Sequence, residues 1–113
     1  MHELGLTKSL IDLVQKESEK SGFTRTLEIR MKLGEYSDVV PEYILDLFPY
    51  ASKGTVAEGA QLFFEHVPGC FQCRSCGYEG SVDRKEARCP VCGGTGLKMT
   101  SGREFFVDSL KVE

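Results

Sequence analysis

The sequence has few histidines, no excess of positive charge and no long apolar runs. It has two histidines, and its formal net charge is -3 at pH 7. A negative charge argues against nucleic acid or an anionic membrane as a partner, because both attract basic surfaces. No apolar run approaches the roughly 20 residues of a membrane span. His2 and Glu3 at the amino end are not typical of a signal peptide, so we expect a cytoplasmic protein.

Five cysteines stand out in this chain of 113 residues. In a reducing cytoplasm they indicate metal ligands or reactive thiols before disulfides. Cys73 with Cys76, and Cys89 with Cys92, form two C-x2-C pairs that are each followed by Gly, which permits the positive φ of such a turn. Two such turns facing each other predict a tetrahedral four-thiolate site. It suits a structural Zn²⁺, since no coordination position stays open.

Cys70 offers a competing arrangement, because Cys70 and Cys73 are also spaced as C-x2-C. Only the Cys73–Cys76 pair shares the trailing Gly of the second pair. We therefore interpret Cys70 as a spare thiol at the edge of the cysteine-rich stretch, with a backup-ligand or redox role as the lesser alternative.

The rest of the chain predicts an α+β core. Apolar residues recur at helical spacing over 4–21, and the "SG" at Ser21–Gly22 ends that pattern. "TLEIRMKLG", "AQLFFEHV" and "REFFVDSLKVE" predict strands, while "VVPEYILDLFPYASKGT" predicts a helix that Pro49 should kink or end early. These elements predict two helices on a three-stranded mixed sheet. We expect residues 1–67 plus 103–113 to form this core and 68–102 to form an inserted zinc-ribbon-like lobe with four cysteine ligands.

The two cysteine pairs alone leave the function open. They resemble the iron-binding loops of rubredoxin, an electron carrier, and they also resemble a zinc ribbon. In rubredoxin a much longer stretch separates the loops, whereas the twelve residues here are mostly polar and charged, which favours a zinc-stabilised lobe. The basic residues of this stretch would also suit nucleic acid, but we interpret them as a solvated face beside a negatively charged metal centre.

Five segments together resemble the HypA/HybF family of hydrogenase nickel-insertion accessory proteins. They are "MHEL", "GTVAEGAQLFFEHVP", "CRSCG", "CPVCGG" and "SLKVE". The resemblance implies a metallochaperone, not an enzyme, that delivers Ni(II) to the maturing [NiFe] hydrogenase large subunit. It implies a hydrogenase maturation GTPase as partner and, in some organisms, urease accessory proteins. We expect a monomer or a weak homodimer.

The resemblance also implies that nickel binds at His2 and zinc at the two C-x2-C pairs. The chemistry of nickel agrees, because Ni²⁺ binds nitrogen ligands well. The α-amine of Met1, the imidazole of His2 and neighbouring backbone amides can supply such a set. Glu3 would add a carboxylate or only its backbone amide. His66 lies at the end of a predicted strand, and we interpret it as a half-exposed structural residue rather than a ligand.

Overall fold

The computed structural model of the chain describes residues 2–113. Two three-stranded sheets are formed, one in the order β2-β1-β6 and one in the order β4-β3-β5. The two expected helices, the three-stranded mixed sheet and a lobe with four clustered cysteines are confirmed. In chain order the elements are α1 (His2–Ser21), β1 (Thr26–Gly34), α2 (Pro41–Ala51), β2 (Gln61–Val67), β3 (Cys70–Cys73), β4 (Glu79–Gly80), β5 (Leu97–Ser101) and β6 (Phe105–Val112).

The chain divides into two compact units. The first contains the residues up to Met31, together with Val39–Glu65 and Phe106–Glu113. The second contains Lys32–Asp38 and His66–Phe105. The second unit therefore joins the cysteine-rich stretch to the end of β1 and the turn that follows it. Within residues 2–113, no helix combines the length and the apolar character that a membrane crossing requires.

The first unit is built on an apolar core between the helices and the sheet. Its fully buried side chains include Val14 of α1, Ile29 and Met31 of β1, and Ile44 of α2. Helix α1 begins at His2, two residues earlier than the apolar periodicity predicted. It ends at Ser21, because Gly22 adopts a φ of 81° that L side chains disfavour and that commonly closes a helix.

Helix α2 is short and contains a proline. Pro41 occupies its first turn, where a missing N–H costs no helical hydrogen bond. The helix continues through Pro49 and ends at Ala51, four residues before the predicted segment ends at Thr55. Pro49 therefore lies in the last turn, where its missing N–H removes one helical hydrogen bond, the one to the Leu45 carbonyl.

Residues 66–105 of the second unit contain almost no apolar core. Strand β3 pairs antiparallel with both β4 and β5, with Phe71 opposite Gly80 on one side and Met99 on the other. Among the buried hydrophobic residues that the structure describes, those within 66–105 are Cys73 and Cys89 alone. Two sulfur-bearing side chains thus occupy the place that leucines and valines occupy in the first unit.

Candidate metal centres

The first cysteine pair forms a tight turn after β3. The Cys73 N–H donates to the Tyr78 carbonyl at 2.8 Å, and the Gly77 N–H donates to the Cys73 carbonyl at 3.0 Å. Gly77 has a φ of 79°, as expected from its place after the pair. These bonds curl the chain so that the sulfurs of Cys73 and Cys76 face the same point.

The second pair repeats this geometry bond for bond. The Cys89 N–H donates to the Gly94 carbonyl at 2.9 Å, and the Gly93 N–H donates to the Cys89 carbonyl at 2.9 Å. Gly93 has a φ of 73°. In addition, the Val91 and Gly94 amides each donate to a sulfur, that of Cys89 and that of Cys92, at 3.4 Å. Amide donors directed at sulfur stabilise the thiolate, which is the form that binds metal.

The four sulfurs meet in one cluster. All of them lie within 4.8 Å of one another. The Sγ atoms of Cys73 and Cys92 are 3.6 Å apart, and those of Cys76 and Cys89 are 3.5 Å apart. A tetrahedral ion with metal–sulfur bonds of about 2.3 Å separates its sulfurs by about 3.8 Å, so the cluster fits a four-thiolate metal site.

The first cysteine of each pair favours the thiolate. Amide donors from Cys76 and Ser75 lower the pKa of Cys73 to about 6. The pKa of Cys89 is also lowered, chiefly by the Cys92 amide. These two residues are the buried members of their pairs, with 2% and 3% of their surface exposed.

The second cysteine of each pair behaves in the opposite way. The Tyr78 amide lowers the pKa of Cys76, but the sulfur of Cys89, burial and the sulfurs of the other two clustered cysteines together outweigh it and raise that pKa to about 12. The Gly94 amide lowers the pKa of Cys92, yet the sulfur of Cys73, burial and a further sulfur together raise it above its usual value. Four thiolates at these separations repel one another, and a divalent cation at their centre would remove that repulsion.

Cys70 stands outside this cluster. It is a half-buried residue at the start of β3, opposite Ser101 of β5, and its carbonyl accepts a bond from the Thr100 hydroxyl. In the part of the chain that is described, the four clustered cysteines are the only group of three or more potential ligands within reach of one ion. His66 is exposed near the end of β2 and belongs to no such group.

The expected nickel residues lie at the start of α1. The imidazole of His2 is about half exposed, and its Nε2 lies 3.4 Å from Oε2 of Glu3. Glu3 is 5% exposed, and its carbonyl accepts the Thr7 hydroxyl bond at 2.7 Å. Met1, the third expected ligand, lies outside the described residues.

Sequence reasoning missed the burial of Glu3. The burial follows from α1 starting at His2, which continues the buried stripe of Val14, Leu10 and Thr7 back to residue 3. This 4-3-4 spacing is visible in the sequence, although a carboxylate on a buried stripe is uncommon.

The chain matches known proteins over its full length. A family model described as hydrogenase/urease nickel incorporation, metallochaperone, HypA matches residues 1–112. The hydrogenase maturation factor HypA of Geobacter metallireducens is 38% identical over 113 residues, covering all of both chains. That of Caldanaerobacter subterraneus subsp. tengcongensis is 35% identical over 114 residues, with the same coverage.

A solved structure has the same fold. The solution structure of the Ni metallochaperone HypA from Helicobacter pylori matches with a TM-score of 0.72 at 21% identity, over 99% of this chain and 97% of that one. The whole-chain family match and the full-length relatives above 30% identity lead to one conclusion: this chain belongs to the HypA family of hydrogenase maturation nickel metallochaperones, and it carries that family's fold with a four-cysteine metal site.

Proposed function

We propose that this protein binds Ni(II) at its amino-terminal end and delivers it to the maturing [NiFe] hydrogenase large subunit, without catalysing a reaction itself. The observation that carries the proposal is the exposed His2 imidazole at the first described residue of the chain, in a protein of the HypA family. A hydrogenase maturation GTPase and, in some organisms, urease accessory proteins are the proposed partners, and the cytoplasm is the proposed location.

Nickel would be held by nitrogen atoms around the start of α1. The proposed ligands are the His2 imidazole, the α-amine of Met1 and neighbouring backbone amides, including that of His2. Glu3 would contribute its backbone amide or its carboxylate. The first N–H groups of an α-helix have no carbonyl partner within the helix. The Glu3 amide can therefore lose its proton to nickel without breaking a helical hydrogen bond. An exposed site at a helix end also suits an ion that must be passed on.

The four-cysteine cluster would hold a structural Zn(II). Cys73, Cys76, Cys89 and Cys92 are the proposed ligands, and they leave no open position for substrate or water. The donor set supports this ion, because four thiolates in a tetrahedral arrangement are typical of structural zinc sites. The proposed zinc lobe, residues 68–102, has these sulfurs in place of an apolar core.

Nickel titration of untagged protein tests the nickel site. His2→Ala should abolish specific Ni²⁺ binding while zinc content and melting temperature stay unchanged, because the His2 side chain is half exposed. His66→Ala is the matched control and should bind nickel normally. Extending the amino terminus by a short tag should also abolish binding, because it removes the free α-amine. Tight binding of one Ni²⁺ by the extended protein would refute the amino-terminal site.

A further inference from the structure

Glu3 is an unusual residue in this molecule. Among the described residues, the buried polar or charged ones are Glu3, Thr7, Thr26 and Ser52, and Glu3 alone of these carries an ionisable side chain. A carboxylate is costly to bury unless it interacts with a partner. The start of a helix favours a negative charge, and the His2 imidazole supplies a nearby hydrogen-bond donor.

The contact between the two side chains involves a particular imidazole nitrogen. Oε2 of Glu3 lies 3.4 Å from Nε2 of His2, while about half of the His2 side chain is open to solvent. A formed N–H···O bond measures about 2.9 Å, so a small rotation of the exposed ring would close this one. The buried carboxylate has less freedom to move, and it is therefore the fixed member of the pair.

The chemistry of chelation involves the other nitrogen. If nickel binds both the backbone amide and the imidazole of His2, the imidazole must reach the ion close to its own main chain. Nδ1 is bonded to the ring carbon that is attached to Cβ. It can therefore close a compact chelate ring with the backbone nitrogen of the same residue. The lone pair of Nε2 points away from the main chain and cannot close such a ring. Nickel and Glu3 thus require different nitrogens of the same ring.

We infer that Glu3 is a positioning residue for nickel: its carboxylate accepts the Nε2–H of His2 and leaves Nδ1 as the nickel donor. This inference rests on the amino-terminal nickel site proposed above. Histidines that bind metals commonly donate their second ring N–H to a carboxylate, which fixes the tautomer and increases the basicity of the ligand nitrogen. In this arrangement the Glu3 side chain acts through His2 and does not touch the ion.

Nickel affinity separates positioning from direct ligation. Glu3→Ala should weaken Ni²⁺ binding by about 10- to 100-fold, the usual loss when a partner of a metal-binding histidine is removed. Glu3→Gln should recover most of this affinity with an unchanged visible spectrum of the bound nickel, because an amide oxygen still accepts the Nε2–H. Glu19→Gln, which removes one exposed negative charge from the same helix, is the control and should change nothing. All variants are compared at equal zinc content.

A second measurement needs no nickel. The chain has two histidines, so His66→Gln leaves His2 as the only imidazole in a ¹⁵N spectrum. At a pH where the ring is neutral, Nε2 should carry the proton. Its resonance should shift on Glu3→Ala and stay in place on Glu19→Gln.

Three results would overturn the inference. The first is an equal loss of nickel affinity in Glu3→Gln and Glu3→Ala with a changed nickel spectrum. The second is wild-type nickel affinity in Glu3→Ala. The third is a neutral His2 ring with its proton on Nδ1 instead of Nε2. Failure of the nickel site itself would look different, since His2→Ala would then bind nickel as tightly as the wild type.

Discussion

Gly77 and Gly93 each close a cysteine turn with a positive φ, 79° and 73°. A Cβ at either position would meet no atom within 4 Å, so there is space for a side chain at both. Glycine is therefore needed at these positions for its positive φ, and not because a side chain would lack space. The sequence contained this information, because Gly follows each C-x2-C pair.

Replacing either glycine by alanine should strain the cysteine turn. We expect Gly77→Ala and Gly93→Ala each to destabilise the metal-bound lobe by about 1–2 kcal/mol, the cost of a left-handed conformation for an L residue. Competition with a zinc chelator measures the effect. Gly96→Ala is the control, since its Cβ would make an ordinary 3.8 Å contact with Arg74 and its φ lies outside the positive range. An equal effect at Gly96 would contradict this explanation.

The clustered cysteines should be needed for zinc binding, and Cys70 should not. Changing Cys73, Cys76, Cys89 or Cys92 to Ala opens the tetrahedron, so the purified variant should lose its one Zn²⁺ per chain. Cys70→Ala should retain it, because the Cys70 sulfur lies outside the cluster. Metal analysis of the purified variants gives the answer. Loss of zinc from Cys70→Ala together with retention by Cys76→Ala would show that the ligand set is wrong.

Among the structural elements, the turn after β1 has a role that local sequence patterns do not indicate. The Glu35 N–H donates to the Val67 carbonyl at 2.8 Å, and the Glu35 carboxylate accepts the Gly69 N–H at 2.8 Å. The Tyr36 N–H donates to the Gly102 carbonyl at 2.7 Å. One turn thus binds both the segment that leads into the cysteine-rich stretch and the segment that leads out of it.

The Tyr36 ring connects this turn to the rest of the second unit. It meets the Phe71 ring edge to face with centroids 5.5 Å apart, and the Arg84 guanidinium lies 4.4 Å from its centroid. A Cβ added at Gly69 would collide with the Tyr36 ring, whereas a Cβ added at Gly34 would collide with the Gly102 backbone. Side-chain rings can move and backbones at a tight crossing cannot, so the two glycines should respond differently to changes at Tyr36.

A double-mutant cycle tests this difference. Gly69→Ala should destabilise the second unit, and it should cost at least about 1 kcal/mol less in a Tyr36→Ala background, because the colliding ring is gone. Gly34→Ala is the matched control, and Tyr36→Ala should not reduce its cost. Thermal unfolding of the single and double variants gives the interaction energies. Additive effects at Tyr36 and Gly69 would mean that the ring is not the obstacle.

At the scale of the whole molecule, the two units differ in what stabilises them. The first buries aliphatic and aromatic side chains such as Ile29, Ile44 and Phe48. Within 66–105 of the second, the buried hydrophobic residues are two of the clustered cysteines. A segment of this size without an apolar core depends on metal binding for much of its folding free energy.

Removal of metal should therefore unfold one unit selectively. After treatment with a strong chelator, amides in β3 and β5 should exchange rapidly with solvent, because the four free thiols no longer hold the turns together. Amides near Val14 in α1 should keep their protection, since their core contains none of the four clustered cysteines. Hydrogen exchange resolved by segment measures both regions, and addition of Zn²⁺ should restore the slow exchange. Equal loss of protection in α1 would show that the apolar core also depends on the metal.

Local patterns determined the helices, the first sheet and the cysteine turns, but they did not predict the second sheet, which is formed by β3, β4 and β5. Helical spacing of apolar residues predicted α1, alternation predicted β1, and the doubled C-x2-C pairs with their glycines predicted a four-sulfur cluster. These features depend on residues close together in sequence, so backbone preferences and spacing are enough to specify them. Strand β1 has the predicted bounds, whereas the ends of β2 and β6 differ from the predicted segments by one or two residues, because strands end where their hydrogen-bonded partners end.

Only the tertiary structure decided the features that join distant parts of the chain. The choice of Cys76 rather than Cys70 for the cluster depends on which sulfurs face the second pair, thirteen residues beyond Cys76. The contacts of Tyr36 with Phe71 and Arg84, and the close approach of Gly34 to Gly102, pair residues far apart in sequence. Such contacts produce no periodic pattern in the sequence, because they depend on how the elements pack against one another and not on neighbouring residues.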